Sequence, residues 1–489
     1  MSTTHVAPGT GRAGARSPRL LLPAVFLSLA TVVSAVTSVN VALPDIARDT
    51  GATQTQVAWV VDAYALTFAA LLLLAGALGD RFGRRRALLG GLAVFGGASA
   101  AAMLSSDVEA LIGLRVLLGV GAALVMPATL STITTVLDAE KRQQAVAVWA
   151  GVAGASAVLG LLASGTLLEL FSWESVFGLN VVLAVLASAL VLRAVPESSE
   201  RPEGRLDVVG GLLFVGAVGS LVYSVIEGPT HGWGSVETLG GLAVGVVLLL
   251  VTIGWELRHP HPLLDPRVFR DRLFAASALT ITVQFAAFFG FVFLLMQYLQ
   301  VVGDLSPLVS AVTMLPFAVG MMGSSRGSVK VTAHLGRART VLVGLAVLSG
   351  ALFVLSTLDR DVNYWLLVSV LPFLGIGMGL AMTPSTAMLT DGMSADKQGV
   401  ASAVNDLARE LGGAVGIAVM ATIMTDTLTD RLGDGVGIGG AEDLPAPMVA
   451  VAKAAFASGF SDALVVAGGA VVATLAVVAV LTRGRRDAH

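Results

Sequence analysis

The sequence predicts an all-α polytopic membrane protein in which fourteen transmembrane helices form two pseudo-symmetric six-helix bundles, with two further helices inserted between them. Three observations predict it. Of the 489 residues, 55% are hydrophobic and only 13% charged, whereas soluble domains carry about 25% charged residues. Apolar runs of about 20 residues, each long enough to cross a hydrocarbon core of roughly 30 Å as a helix, recur along the whole chain. Lys and Arg, finally, crowd into every second connection between those runs.

The first run, 20–43, follows Arg12, Arg16 and Arg19 as the apolar region of a signal peptide would, but it is too long for one and reads as a span. Runs at 57–79, 86–105, 108–136, 144–169 and 175–194 complete a first set of six. Two more, 207–226 and 238–257, are parted by a short polar stretch from Gly228 to Glu237. The last six lie at 274–299, 306–326, 339–357, 363–389, 399–425 and 459–482. The longest polar stretch, Asp426 to Ser458, is too short to fold alone. The expected organisation is a tail (1–19), an N-terminal bundle (20–194), a linker carrying the inserted pair (195–273), a C-terminal bundle (274–482) and a second tail (483–489).

Charge supports this count. With the amino terminus in the cytoplasm, 24 of the 30 Lys and Arg residues fall in cytoplasmic segments and four (Arg48, Arg360, Arg431 and Lys453) in external ones. Only Arg115 and Arg409 lie within spans. A wrong number of spans would scramble that asymmetry. The prediction is a multi-pass protein of the plasma membrane with both termini cytoplasmic.

The bundles are related by a repeat. GVGAALVMPA (Gly119 to Ala128) recurs as GIGMGLAMTPS (Gly375 to Ser385), and the small-residue pattern of Gln143 to Gly160 recurs from Gln398 to Gly416. Two facing copies of one helical unit suit a carrier that exposes a mid-membrane site to each side in turn.

Composition removes several classes of function. The chain has no cysteine, so disulfides, thiolate metal sites and cysteine nucleophiles are excluded. His259-Pro-His261 reads as a solvated loop, and neither a metal nor a cofactor is expected. No nucleotide-binding loop is present, so transport would draw on a gradient. Nucleic acid is not a suggested partner; the expected ones are the lipid bilayer, protons and small amphipathic or cationic molecules, with the chain taken as a monomer.

Between the second and third runs lies Gly79-Asp80-Arg81-Phe82-Gly83-Arg84-Arg85-Arg86. Gly83 permits a sharp turn, and an acid beside arginines can latch neighbouring helix ends through charge-assisted hydrogen bonds. The second half holds a reduced copy, His334-Leu-Gly336-Arg337-Ala-Arg339, without the acid. Ionisable residues within spans are functional candidates by default. A carboxylate shielded from water can load and release a proton, which makes Asp62, Asp406 and Glu410 candidate proton carriers; for Asp62, snorkelling to the interface is the competing reading. Gly160 with Ser164, and Gly412 with Gly416, permit close helix contact, either as static packing or as sliding surfaces. Gln284, Phe285, Phe288, Phe289, Phe291 and Gln297 form an aromatic and amide wall that suits either lipid or a cavity.

With these residues the chain strongly resembles the major facilitator superfamily, specifically its fourteen-span drug:proton antiporter branch. The resemblance covers nearly the whole chain and is carried by Asn40-Val-Ala-Leu-Pro44, Trp59-Val-Val-Asp62-Ala-Tyr64, the Gly79 to Arg86 loop, and Arg115 with Gly119 and Gly121. Further matches are Ser172-Trp173 through Phe177 to Asn180, Tyr298-Leu-Gln300 and Arg409-Glu410-Leu-Gly412-Gly413. It implies the major facilitator fold, proton-coupled export of amphipathic or cationic drugs by alternating access, a part for Arg115 in proton relay, and a cavity drawing on Asn40, Tyr64, Asn180, Gln284, Gln297 and Arg409. Two positions depart from the pattern. Ala35 stands where the branch usually has an acid, and Gly160-Leu161 followed by Ser164-Gly165 stands where it usually has Gly-Pro. The alternatives are a dedicated exporter of one metabolite, antibiotic or lipid, an importer, and a membrane receptor or scaffold that does not transport; no nucleophile-base pair suggests an enzyme.

Overall fold

Hydrocarbon offers no partner to backbone N–H and C=O groups, so spans within it must satisfy them internally, as helices do. The structure, a computed structural model, describes residues 18–137, 139–197, 207–260, 262–391, 398–433 and 446–483. Parts of the expected tails and linker lie outside these residues, with His5, Arg12, Arg16, Arg201, Arg205, His261, Lys397, Arg485, Arg486 and His489. The described residues form α1 (Pro18–Thr50), α2 (Gln54–Phe82), α3 (Arg84–Ala102), α4 (Val108–Val136), α5 (Ala139–Leu170), α6 (Glu174–Ala194), α7 (Val208–His231) and α8 (Val236–Glu256). There follow α9 (Arg272–Gln297), α10 (Pro307–Val312), α11 (Leu315–Leu335), α12 (Arg337–Leu355), α13 (Tyr364–Asp391), α14 (Gln398–Leu432) and α15 (Ala446–Thr482).

Among the described residues, thirteen segments are long and apolar enough to cross a membrane, with α10 and α11 together making one of them. Helix α3 is the fourteenth expected span. Its 19 residues begin with Arg84, Arg85 and Arg86, which lower its hydropathy, yet it packs between α4 and α6 like its neighbours.

The helices outrun the apolar runs that announced them. Pro44 does not end α1, which continues to Thr50. Helix α7 extends to His231 through Pro229 and takes up much of the polar separator. The tenth run is broken at Thr313 and Met314 into α10 and α11, and α11 continues to Leu335. Much of the polar stretch 426–458 is likewise helical, at the end of α14 and the start of α15. Hydropathy marks the part of a helix that lies in lipid, while its hydrogen-bond ladder runs on into the interface.

The sequence repeat has a packing counterpart. A Cβ on Gly119 would lie 2.7 Å from the carbonyl oxygen of Tyr64 in α2, and one on Gly375 would lie 2.2 Å from that of Phe317 in α11. Gly121 abuts Gly91 of α3 as Gly377 abuts Gly344 of α12. Gly160 meets Ser34 of α1, and Gly416 meets Ala286 of α9. Each half thus clasps α4 or α13 between two partners and lays α5 or α14 along α1 or α9. Gly83 (φ 118°) and Gly336 (φ 83°) occupy equivalent turns, α2–α3 and α11–α12, in the region of positive φ that favours glycine.

The inserted α7 and α8 pack on each other, and α7 also touches α2 and α14. The halves meet along α2 and α14, and again on the face opposite the Gly79 to Arg86 loop. There Gln300 Nε2 donates to the Val41 carbonyl at 2.9 Å, the Leu308 N–H approaches Glu169 Oε1 at 3.4 Å, and Gly165 lies against Leu308 and Ala311.

This packing makes a prediction. Gly416→Leu places a Cβ 2.0 Å from the Ala286 oxygen, and overpacking of that kind costs about 1–3 kcal/mol or more. Melting in detergent should occur several degrees lower and the yield of monodisperse protein should fall. Gly323→Ala, which enters open space, should melt at or slightly above the original temperature.

Candidate functional site

Charges inside a bilayer are tolerated where they meet one another, backbone carbonyls or water. Arg115 is fully buried in α4. Its Nε donates to the Val60 carbonyl of α2 at 2.6 Å, and its guanidinium carbon lies 4.6 Å from the centroid of the Tyr64 ring. A desolvated cation over an aromatic face is worth about 2 kcal/mol, so Arg115 ties α4 to α2. Nη1 and Nη2 have no hydrogen-bond partner among the described residues. Tyr64 in turn donates its hydroxyl to the Val32 carbonyl of α1 at 3.1 Å.

Glu410 lies in the other half, on α14, the helix that packs on α2. Glu410 is buried and interacts with Arg409 and Asp406 of its own helix. Arg409 Nη1 stands 4.0 Å from Asp406 Oδ1, and its guanidinium carbon is 5.1 Å from the centroid of Phe285 in α9. Asn405 donates to Asp406 and accepts from Thr386 of α13. The structure therefore shows two polar groups on helices that meet at the seam: Arg115 with Tyr64 on α4 and α2, and buried Glu410 with partly buried Arg409 and Asp406 on α14.

Asp62 stands apart from that line. Helix α2 starts at Gln54, three residues earlier than the apolar run suggests, which sets Asp62 eight residues, about 12 Å, into the helix. It is fully buried, neither oxygen has a hydrogen-bond partner among the described residues, and it does not snorkel. Asp62 is three and seven residues on from Trp59 and Thr55, so it shares their helix face. Those two bond to α7: Trp59 Nε1 donates to Glu227 Oε1 at 2.8 Å, and the Thr55 and Thr230 hydroxyls are 3.2 Å apart. The part played by Glu227 was not legible in the sequence, where it sat just past the end of the seventh apolar run.

Other candidates line the helices singly. Gln284 is fully buried with both amide atoms unpartnered. Gln297 and Asn40 each donate to their own helix at 3.0 Å and leave the amide oxygen unpartnered. Asn180 is buried in α6. Phe285 and Phe291 are buried, and Phe288 stacks on Phe317 at 4.7 Å, so this wall is packed between helices. Gly160, Gly412 and Gly416 make contacts within their own halves, with Ser164 buried nearby, while the contact of α5 with the other half falls at Gly165.

The Gly79 to Arg86 loop knits one end of the first half. Asp80 Oδ1 accepts from Arg84 Nε at 3.0 Å and from the Ser131 hydroxyl of α4 at 2.9 Å, and buried Arg84 also bonds Thr135. Arg85 donates to the Leu192 carbonyl at 2.9 Å, and Arg86 approaches Glu197 at 3.5 Å. Glu197 fills the space where a Gly83 side chain would go, and Gly79 packs against Ala87. Arg81 is exposed over Phe82.

His259 lies in the loop after α8, as expected, and is partly shielded there. Its ring stacks on Trp255 at 5.8 Å, and Nδ1 lies 3.5 Å from the buried Asp207 carboxylate.

Comparison with known proteins agrees with this arrangement. A family model described as Major Facilitator Superfamily matches residues 25–417. The multidrug efflux pump LfrA of Mycolicibacterium smegmatis (strain ATCC 700084 / mc(2)155) is 34% identical over 95% of each chain. The tetracenomycin C resistance and export protein of Streptomyces glaucescens is 32% identical over 83% of this chain and 76% of its own. The methyl viologen resistance protein SmvA of Salmonella typhimurium is 32% identical over 80% of each. Among solved structures, a bacterial homologue of the human lysosomal transporter Spinster, inward-facing and unoccupied, aligns with a TM-score of 0.65 over 95% of this chain and 96% of its own, at 16% identity. The POT family transporter PepTSo aligns with a TM-score of 0.65 over 95% and 99%, at 14% identity. With its clasped halves, its Asp80 loop and a family match across most of its length, the chain belongs to the major facilitator superfamily, within that superfamily's drug-efflux branch.

Proposed function

We propose that this protein is a secondary active transporter that exports amphipathic or cationic drugs in exchange for protons by alternating access. The observation that carries the reading is the pair of ionisable groups sunk in helices that meet at the seam, Arg115 over Tyr64 in the first half and buried Glu410 on α14 in the second. Buried polar atoms without partners cost free energy. Arg115 Nη1 and Nη2, Arg409 Nε, both Asp62 oxygens and both Gln284 amide atoms are such groups, and a transported proton, a substrate or accompanying water would satisfy them. In this reading Glu410 or Asp62 carries the proton, Asp406 and Arg409 adjust the charge around Glu410, and Arg115 relays between the halves. Tyr64 and Phe285 already face the guanidinium groups of Arg115 and Arg409, a contact a transported cation would have to take over. A dedicated exporter of one compound would use the same groups with a narrower cavity. The chain works as a monomer in the bilayer.

Energy supports gradient coupling. One proton entering down 100 mV releases about 2.3 kcal/mol, and each tenfold substrate gradient costs about 1.4 kcal/mol. A single proton therefore sustains roughly a fortyfold gradient of a neutral substrate. Exchange for a monovalent cation is electroneutral and feels only the pH difference.

Residues 20–194 and 274–482 are the moving halves in this scheme, with 195–273 as the linker that holds α7 and α8. The face bearing the Gly79 to Arg86 loop is cytoplasmic, since 24 of the 30 Lys and Arg residues gather there. Asp80, Arg84 and Ser131 latch the ends of α2, α3 and α4 so that the first half moves as one body.

Four measurements test this reading. In inverted vesicles, uptake of a fluorescent cationic drug should collapse when the proton gradient is dissipated. Glu410→Gln should lose gradient-driven uptake while still binding the drug; uptake indifferent to the gradient would reject coupling. Asp80→Asn should slow turnover more than it weakens binding, and a variant with unchanged turnover would remove the latch. Reporter fusions to the two chain ends should give the same cytoplasmic signal.

A further inference from the structure

The inserted helices carry a polar cluster that transport does not use. Asp207, with a side chain 1% exposed, accepts from the Gly210 N–H at 2.8 Å and from Trp255 Nε1 at 3.0 Å to each oxygen. The Trp255 ring is thereby pinned at the end of α8, and His259 is held between that ring and Asp207. Glu256 is buried near the same end of α8, with Oε2 unpartnered among the described residues. On the far side of Trp255 a groove of about 580 Å³ runs along α8, lined by Val247, Leu250, Val251, Trp255, Arg258 and His259. Its apolar residues lie on the helix face turned away from α7: Leu250 is 63% exposed, whereas Gly245, on the other face, packs on Leu221.

We propose that this groove is a binding site for one anionic phospholipid, with the headgroup phosphate at Arg258 and His259 and an acyl chain along Val247, Leu250 and Val251. The dimensions suit that occupant. From Val247 to Arg258 the helix rises about 16 Å, close to half of a hydrocarbon core of roughly 30 Å, which is one leaflet. The polar end is positive. Arg258 is exposed, with a 3.3 Å bond to the Gly254 carbonyl, and the connection after it contributes Arg267, Arg270 and Arg272, of which Arg267 turns to Leu257 and Asp265. Of the acids nearby, Asp207 is engaged by the Gly210 N–H and Trp255 Nε1, Glu256 is buried, Asp265 pairs with Arg267, and Asp271 caps α9. Basic pockets at this depth on the positive face of a membrane protein suit acidic headgroups, and a tryptophan at the interface is where an amphipathic ring settles. The site stands on the membrane placement of α8 and needs nothing from the assignment of drug export.

Quenching of tryptophan fluorescence by brominated acyl chains tests it on the full-length protein in detergent. Brominated phosphatidylglycerol should quench severalfold more than brominated phosphatidylcholine, and Trp255→Phe should remove that excess. The double variant Arg258→Gln, His259→Gln should equalise the two lipids, while Arg339→Gln, on the same face but in the other half, should leave the preference intact. Equal quenching of the unmodified protein by both lipids overturns the proposal, as does a preference that survives Trp255→Phe. That comparison decides the matter even if the double variant fails to fold. Excess quenching relieved by a cationic drug rather than by unbrominated phosphatidylglycerol would assign the groove to substrate and equally overturn it.

Discussion

Hydrocarbon cannot hydrogen bond, and from that constraint follow both the helical fold and the meaning of every polar group left inside it. Backbone groups are satisfied within each helix. Helices already buried in an apolar solvent then gain little from hiding apolar side chains, and what holds them together is close contact. Gly119, Gly121 and Gly160 in one half, and Gly375, Gly377 and Gly416 in the other, bring backbones to distances that no side chain would allow. The repeat is thus conserved between the halves as contact geometry: α4 and α13 hold equivalent places, and so do α5 and α14.

The same constraint separates anchoring charges from charges with work to do. Arg84, Asp80, Ser131 and Thr135 satisfy one another at the end of the first half. Arg115 is only partly satisfied, by Val60 and the face of Tyr64, and Asp62 makes no hydrogen bond among the described residues. In a rigid protein such groups would be costly defects. In the proposed carrier they are the groups a proton or a cation would satisfy. Glu410 lies on α14 and Arg115 packs on α2, and those two helices meet across the halves.

Helices α7 and α8 are more than a spacer. Helix α7 reaches α2 through Trp59–Glu227 and Thr55–Thr230, and α14 through Val225–Thr422, so it touches the two helices that carry Asp62 and Glu410. Helix α8 turns most of its surface to lipid and ends in the cluster around Asp207. The inserted pair therefore joins the transport helices to the surrounding bilayer.

What the sequence by itself determined was whatever depends on neighbours along the chain. Apolar runs set the number of spans, the spacing of arginines set which connections share a face, and the two glycine-rich repeats announced the paired halves. The Asp80 loop and Arg115 could be singled out because a charge next to or within an apolar run is conspicuous. Helix ends were less legible, as at Leu335 and His231, because hydropathy records depth in lipid and not the hydrogen-bond ladder. Only the tertiary structure decided which polar groups meet. Asp62, Tyr64 and Trp59 lie within two turns of one helix, yet Tyr64 faces Arg115, Trp59 faces Glu227 and Asp62 finds no hydrogen-bond partner among the described residues. His259 is the loop residue the sequence suggested, but its contacts with Trp255 and Asp207 were not legible there. Such pairings depend on how helices distant in sequence are rotated and set against one another, and a local pattern of residues contains no measure of that.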